Sequence, residues 1–252
     1  MGKTFFIFIF IISFLKISAQ YAEPDFIKTA KGIIKIQPVL HSSLILKWNQ
    51  KTIYIDPYKE LDIYNDYPEP LLIFITDIHG DHLNLKTLEA LTQEKTILIA
   101  PLAVKEKLPE SLKLKTIVMN NGEIKNILGV SIEAIPMYNL PESEQSRHIK
   151  GRGNGYVLKM DDKRIYIAGD TADIPEMRKL KKIDIAFICM NLPYTMDIET
   201  ATDAVLDFKP AVVYPYHFRG KDGFSDVEAF KALVFNKNPE IEVRLRIWYP
   251  EN

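Results

Sequence analysis

The spacing of apolar and polar positions along the chain predicts strands first and helices second. Apolar and β-branched runs at 32–37, 44–48 and 52–56 have the length and composition of strands. The next run, Leu71-Leu72-Ile73-Phe74-Ile75-Thr76, is almost continuously apolar, as a strand covered on both faces should be. It passes directly into the polar cluster Asp77-Ile78-His79-Gly80-Asp81-His82. Leu83, Leu85, Leu88 and Leu91 then recur at helical spacings and predict a helix over 84–92.

Strands expected at 96–100 and 116–119 flank a helix opened by Pro101, a position that needs no backbone donor. Segments 124–127 and 130–135 read as a hairpin. Residues 138–155 read as a loop, with Pro141, several Ser and Glu residues and the run Gly151-Arg152-Gly153-Asn154-Gly155. A loop of that length inside a compact domain is often functional. The second half predicts strands at 156–160, 164–168, 183–189 and 211–216, helices near 174–181, 198–208 and 226–235, and a closing strand at 242–249. Helices dispersed among many strands, with no linker and no short repeat, predict one α/β (α+β) domain of mixed sheets covered by helices.

The N-terminus changes the picture of where this domain works. Lys3, the apolar stretch from Phe5 to Leu15, and then Ser18 and Ala19 follow the order of a secretory signal peptide. We expect cleavage after Ala19 and a periplasmic or secreted protein, with 1–19 as signal, 20–31 as a short polar segment and 32–252 as the folded domain. The uninterrupted apolar stretch is about half of the roughly 20 residues that span a bilayer. An uncleaved anchor is the alternative; after cleavage no stable membrane span is expected.

Composition is that of an ordinary globular domain, 47% apolar and 26% charged. The net charge of −1 becomes more negative once Lys3 and Lys16 are removed, so no nucleic-acid partner is expected and a small-molecule substrate is. The single cysteine, Cys189, lies in an apolar run and reads as a buried small hydrophobe.

Candidate chemistry sits at predicted strand ends. His79-Gly80-Asp81-His82 packs two imidazoles and a carboxylate into four residues, the ligand types that zinc and similar divalent ions take. Gly80 is expected to free a sharp turn so that its neighbours converge. Asp170 follows the run Tyr166-Ile167-Ala168-Gly169, and is either part of this site or the N-cap of the following helix. His217 ends Val212-Val213-Tyr214-Pro215-Tyr216 in the same way. Carboxyl ends of several strands open onto a shared crevice in α/β sheets. Tyr194, after Asn191-Leu192-Pro193, is positioned either to donate to a developing oxyanion or to pack at the rim. Arg147, Lys150 and Arg152 are either anion contacts or solvated loop cations.

As a set, these motifs resemble the metallo-β-lactamase superfamily over about Gly32 to Tyr249. Thr76-Asp77-Ile78-His79-Gly80-Asp81-His82 is similar to its Thr-His-x-His-x-Asp-His loop, Ala168-Gly169-Asp170-Thr171 to its bridging-aspartate turn, and Pro215-Tyr216-His217 to its final histidine. The resemblance implies a four-layer αββα sandwich and a metal-dependent, zinc-type hydrolase. It implies that Asp77, His79, His148 and Asp170 hold one ion and Asp81, His82, Asp170 and His217 the other, with Asp81 and His82 also serving catalysis. His41-Ser42-Ser43 with Ile53-Tyr54-Ile55-Asp56-Pro57 resembles the branch of sugar-phosphate lactonases and N-acyl-phosphatidylethanolamine phospholipases, and leaves His41 as either a lining of the metal site or a strand residue.

One departure matters. Asp77 stands where the family has its first histidine, substituting a hard oxygen for a nitrogen. It either still binds the first ion, or turns the site toward Mn2+ or Fe2+, or leaves one Zn2+ held tightly rather than two, or marks a lost function. The expectation is an exported hydrolase that uses a metal-activated water on an ester, lactone, amide or phosphodiester. The alternative is a non-catalytic metal-binding sensor or accessory protein of the cell envelope.

Overall fold

The continuous apolar runs become central strands because each has to satisfy two cores. In a computed structural model, which describes residues 21–59 and 62–250, the first sheet comprises β1 (Asp25–Thr29), β2 (Gly32–Leu40), β3 (Ser43–Trp48), β4 (Lys51–Ile55), β5 (Leu72–Phe74), β6 (Ile97–Ala100) and β7 (Thr116–Val118), paired in that order. Ile53, Ile55, Leu72, Phe74 and Ile99 point into the core between the sheets. Their neighbours Tyr54, Ile73, Ile75, Leu98 and Ala100 point the other way, into a second core with Leu88, Val104 and Leu112. Those last residues belong to α1 (Leu85–Leu91), α2 (Leu102–Lys107) and α3 (Glu110–Lys113), so the period-two alternation of a strand explains the unbroken apolar sequence.

The second sheet repeats the plan. It contains β8 (Ile124–Ile127), β9 (Val130–Met137), β10 (Gly153–Met160), β11 (Lys163–Ile167), β12 (Ile185–Cys189) and β13 (Val212–Tyr216). A small hairpin, β14 (Arg219–Gly220) with β15 (Gly223–Phe224), precedes β16 (Glu242–Val243), which pairs with β13 at the sheet edge. In each sheet four antiparallel strands, β1 to β4 and β8 to β11, lead into parallel ones. The sheets meet face to face, with Phe74 and Tyr156 in edge contact at 5.0 Å between ring centres. The outer face of the second sheet is covered by α4 (Pro175–Arg178), α5 (Ile198–Phe208) and α6 (Val227–Lys237), whose Ala201, Val205, Phe230 and Val234 are buried.

Three expectations are corrected. Residues 25–29 are not a loose polar segment but the edge strand β1, whose alternating exposure hides its apolar half, Ile27. Strand β10 starts at Gly153, so the long loop is shorter by its last three residues. The closing strand pairs only at Glu242–Val243; beyond it, Trp248 is buried by side-chain packing rather than by a ladder. Among the described residues no helix is long and apolar enough to cross a membrane. The expected signal, 1–19, lies outside the described residues.

Candidate metal centre

Three parallel-strand ends deliver the polar residues to one place. After β5 the chain makes a turn in which His82 N and Leu83 N both donate to His79 O, folding the Asp77 to His82 segment back on itself. Gly80 is not what permits this: its φ is ordinary for any residue and an added Cβ would meet nothing within 4 Å. The glycine that matters is Gly169, after β11, with φ +67° and Met137 Sδ 2.4 Å from where a Cβ would stand. Its amide donates to Tyr216 Oη at 2.8 Å, which sets the direction of Asp170. Asp170 caps no helix, because α4 begins after Ile174 without a side-chain cap. His217 follows β13 with φ 45° and donates its amide to His41 O at 3.2 Å.

Asp170 is the hub. Its Oδ2 lies 3.4 Å from both His82 Nε2 and His148 Nε2, and its Oδ1 lies 3.4 Å from His217 Nε2. His217 Nε2 is also 3.2 Å from Asp81 Oδ2. On the other side Asp77 Oδ2 touches His79 Nδ1 and is 3.8 Å from His148 Nε2. Three groups result: Asp77 with His79 and His148, His82 with Asp170 and His217, and His41 with Asp81 and the same His217. The candidate ligand atoms within each group lie within 4.8 Å of one another.

These groups fit a divalent ion. Ligands at about 2.0 to 2.1 Å in a tetrahedron stand roughly 3.4 Å apart, close to the observed separations. Asp77 Oδ2, His82 Nε2, His148 Nε2, Asp170 Oδ1 and His217 Nε2 are all buried without a hydrogen-bond partner. Native interiors pair nearly all such atoms, so a cluster of them pointing inward calls for a bound cation.

The histidines are oriented from behind. His82 Nδ1 is 2.8 Å from Asp56 Oδ2, 2.9 Å from Thr76 Oγ1 and 3.1 Å from Ser42 Oγ. Asp56 is held in turn by the Thr76 amide at 2.8 Å and hydroxyl at 2.6 Å. A carboxylate behind a ligating imidazole fixes its ring and raises its basicity. His148 Nδ1 faces Tyr194 O at 3.2 Å, and Asn139 locks the same loop by accepting from His148 N at 2.9 Å and donating to Tyr194 O at 2.8 Å.

Charge follows burial and neighbours. Burial opposes ionisation of Asp170, but His217 and His82 outweigh it and hold the carboxyl well below the usual range. Burial likewise opposes a charged His82, yet Asp170 and Asp56 raise it well above an ordinary imidazole. Burial dominates at His148 and pushes it down to about 4. His41, depressed to about 4 by burial and then by His217, remains a neutral ring.

His41 lies neither in a strand nor far from the cluster. It occupies the turn between β2 and β3 with φ 53°, edge-on to His217, Tyr249 and Tyr58 at 5.4, 5.2 and 5.4 Å respectively. Tyr194 enters through its carbonyl, while its ring lies under the Arg147 guanidinium at 4.6 Å. Lys150 pairs with Glu142 and Glu176, and Arg152 Nε stands 3.4 Å from Asp77 Oδ1. Sequence reasoning missed the supporting roles of Asp56, Ser42, Thr76 and Asn139. Only Asp56 carried a signal, as a buried acid directly after an apolar strand.

Comparison with known proteins gives the family and the fold. The family described as Beta-lactamase superfamily domain matches residues 35–217. A UPF0173 metal-dependent hydrolase of Pyrococcus horikoshii is 30% identical over 218 residues, covering 81% of this chain and 94% of that protein. A solved metal-dependent hydrolase from Parabacteroides distasonis superposes with TM-score 0.80 at 38% identity, over 90% of this chain and 99% of its own. The metallo hydrolase Igni18 of Ignicoccus hospitalis, at 24% identity and TM-score 0.71 over 84% of this chain and 94% of its own, shares the fold.

Proposed function

The chain belongs to the Beta-lactamase superfamily domain family, and from that premise we propose that it is an exported hydrolase using a metal-activated water to cleave a small-molecule ester, lactone, amide or phosphodiester. The observation that carries this function is the convergence of buried, unpartnered nitrogen and oxygen atoms on Asp170. Asp77, His79 and His148 would hold one ion, and His82, His217 and Asp81 the other, with Asp170 between them. Zinc in one or two copies suits the imidazoles, and the Asp77 oxygen keeps manganese and iron as competitors. When bound, such ions acidify a water and offset charge developing on a substrate oxygen.

The chain's own groups supply the rest. Asp81, more exposed than Asp170 and paired among the described residues with His217, is placed to orient the water or accept its proton. Asp56 and Tyr194 O hold His82 and His148 by their Nδ1 atoms, leaving each Nε2 for the centre. β-Lactam hydrolysis is disfavoured, because His41 and Asp77 point to other branches.

The test is metal content and turnover together. The full chain is expressed, the processed protein is analysed for bound metal, and ester, lactone, amide, phosphodiester and β-lactam substrates are screened with and without chelator. Chelator-sensitive turnover of one of the first four classes is the expected result. Stoichiometric metal without turnover on any class would establish the non-catalytic sensor instead. Export is checked by sequencing the N-terminus of the processed protein, which should begin at Gln20.

A further inference from the structure

Asp77 does not stand alone. Arg152 Nε lies 3.4 Å from its Oδ1, while its Oδ2 faces His79 and His148. Arg152 Nε and Asp77 Oδ1 are both buried and neither makes a hydrogen bond, so the contact between them is an ion pair. The backbone enforces this meeting. Asn154 N donates to Thr76 O at 2.9 Å, and a Cβ on Gly153 would come within 3.0 Å of the same carbonyl and 2.2 Å of Met137 Cε. With the two segments sealed at that distance, the residue before Gly153 and the residue after Thr76 are neighbours. A bond from Arg152 Nη2 to Arg147 O steadies the guanidinium. The other cations of this loop are engaged elsewhere, Lys150 with Glu142 and Glu176 and Arg147 over the Tyr194 ring.

A carboxylate in place of an imidazole adds one negative charge to the group that Asp77 forms with His79 and His148, which would otherwise be neutral. A buried charge is expensive unless it is paired. We propose that Arg152 is a positioning residue that neutralises Asp77, so that the pair presents to a divalent ion the charge of one neutral imidazole and a single ligand oxygen, Oδ2. Arg152 occupies the Oδ1 side and thereby keeps Asp77 monodentate. This deepens the function proposed above and presupposes its metal centre. It also explains how one family position accepts an acid without the neighbouring ligands changing: the acid arrives with its own counter-charge, 75 residues later in the chain.

The pair predicts a non-additive cycle. Full-length protein stripped of metal is titrated with Co2+, and the visible absorption of the bound ion is followed in wild type, Asp77→His, Arg152→Gln and the double variant. Circular dichroism verifies that each is folded. Asp77→His alone leaves a guanidinium facing the ion unpaired, and should weaken cobalt binding about tenfold or more. Adding Arg152→Gln should bring the affinity back to within roughly threefold of wild type. Arg152→Gln alone should bind cobalt at least as tightly as wild type, since the uncompensated carboxylate attracts the ion.

If Arg152 only braced its loop, Arg152→Gln would weaken binding in both backgrounds and the double variant would be worse than either single one. That pattern overturns the proposal. The readout is separable from catalysis. Wild-type protein that binds cobalt without recovery in the double variant counts against Arg152 alone, whereas wild-type protein that binds no cobalt removes the metal centre and this pair with it.

Discussion

Two carboxylates, the half-buried Asp25 and the buried Asp170, hold the molecule together at different places and in opposite ways. Asp25, on the edge strand β1, is saturated. Its Oδ1 accepts from Phe26 N at 2.7 Å, and its Oδ2 accepts from Tyr214 Oη at 2.7 Å, Arg244 Nη1 at 3.1 Å and Arg246 Nη2. It thereby ties the first sheet to β13 of the second. Asp170 is surrounded by three imidazoles whose Nε2 atoms, like its own Oδ1, lack hydrogen-bond partners. Burial opposes ionisation of both acids and is overcome in both, at Asp25 by the Tyr214 hydroxyl, the Phe26 amide and Arg244, at Asp170 by His217 and His82. A shifted acid is therefore not by itself a functional signal; what distinguishes Asp170 is that its surroundings remain open to a further cation.

The sharpest break in that comparison is Asp170→Ala. It should lower turnover by roughly three orders of magnitude, because both halves of the centre share this residue. It should also abolish the thermal stabilisation that added metal gives wild type, about 2.7 kcal/mol at a hundredfold excess over Kd. Calorimetry with and without zinc reads this directly; a full metal-induced shift in the variant would show that Asp170 is no ligand. Asp56→Asn comes next. It keeps the shape but weakens the grip on His82, and metal affinity measured by chelator competition should fall about 10- to 100-fold. Unchanged affinity would make Asp56 a purely structural acid like Asp25.

The path from sequence to these two acids was uneven for physical reasons. Strands buried on both faces announce themselves as unbroken apolar runs, so β4, β5, β12 and β13 and the polar residues at their ends were legible. His148 lies in a loop without periodicity and was placed beside the others only by the family resemblance. The edge strand β1 was invisible because its solvated face carries the exposed Phe26 and Lys28 while the covered face mixes the polar Asp25 and Thr29 with Ile27, so no polar-apolar alternation shows. Asp56 and Arg152 work through partners 26 and 75 residues away, His82 and Asp77, and nothing local reports such a distance. Gly80 was misjudged because a glycine between ligands looks necessary until its φ is known, whereas Gly169 carries both the positive φ and the crowding.

Gly169→Ala tests that last point and reaches Asp170 through the backbone. The added methyl would collide with Met137 Sδ, whose sulfur accepts from the Asp170 amide at 3.0 Å. Strain at a left-handed position costs of order 1–3 kcal/mol, so the melting temperature should drop measurably and metal affinity with it. Gly80→Ala, where φ is ordinary and the space is open, should leave stability within about 0.5 kcal/mol of wild type.

At Asp25 the effect is expected on stability alone. Asp25→Ala should cost about 1 kcal/mol of stability at neutral pH, since the ion pairs are partly solvated, and should leave metal content and turnover unchanged. Burial raises the Asp25 carboxyl, but the Tyr214 hydroxyl, the Phe26 amide and Arg244 together depress it below its ordinary 3.8. A depressed acid contributes stability that is present above the unfolded value and is lost as pH falls through the folded one. The gap in denaturant midpoint between wild type and Asp25→Ala should therefore be constant from pH 5 to neutrality, as an order-of-magnitude window, and close below about pH 4. A gap that persisted undiminished in acid would mean that Asp25 holds β1 by packing rather than by charge, and the contrast with Asp170 would rest on hydrogen-bond saturation alone.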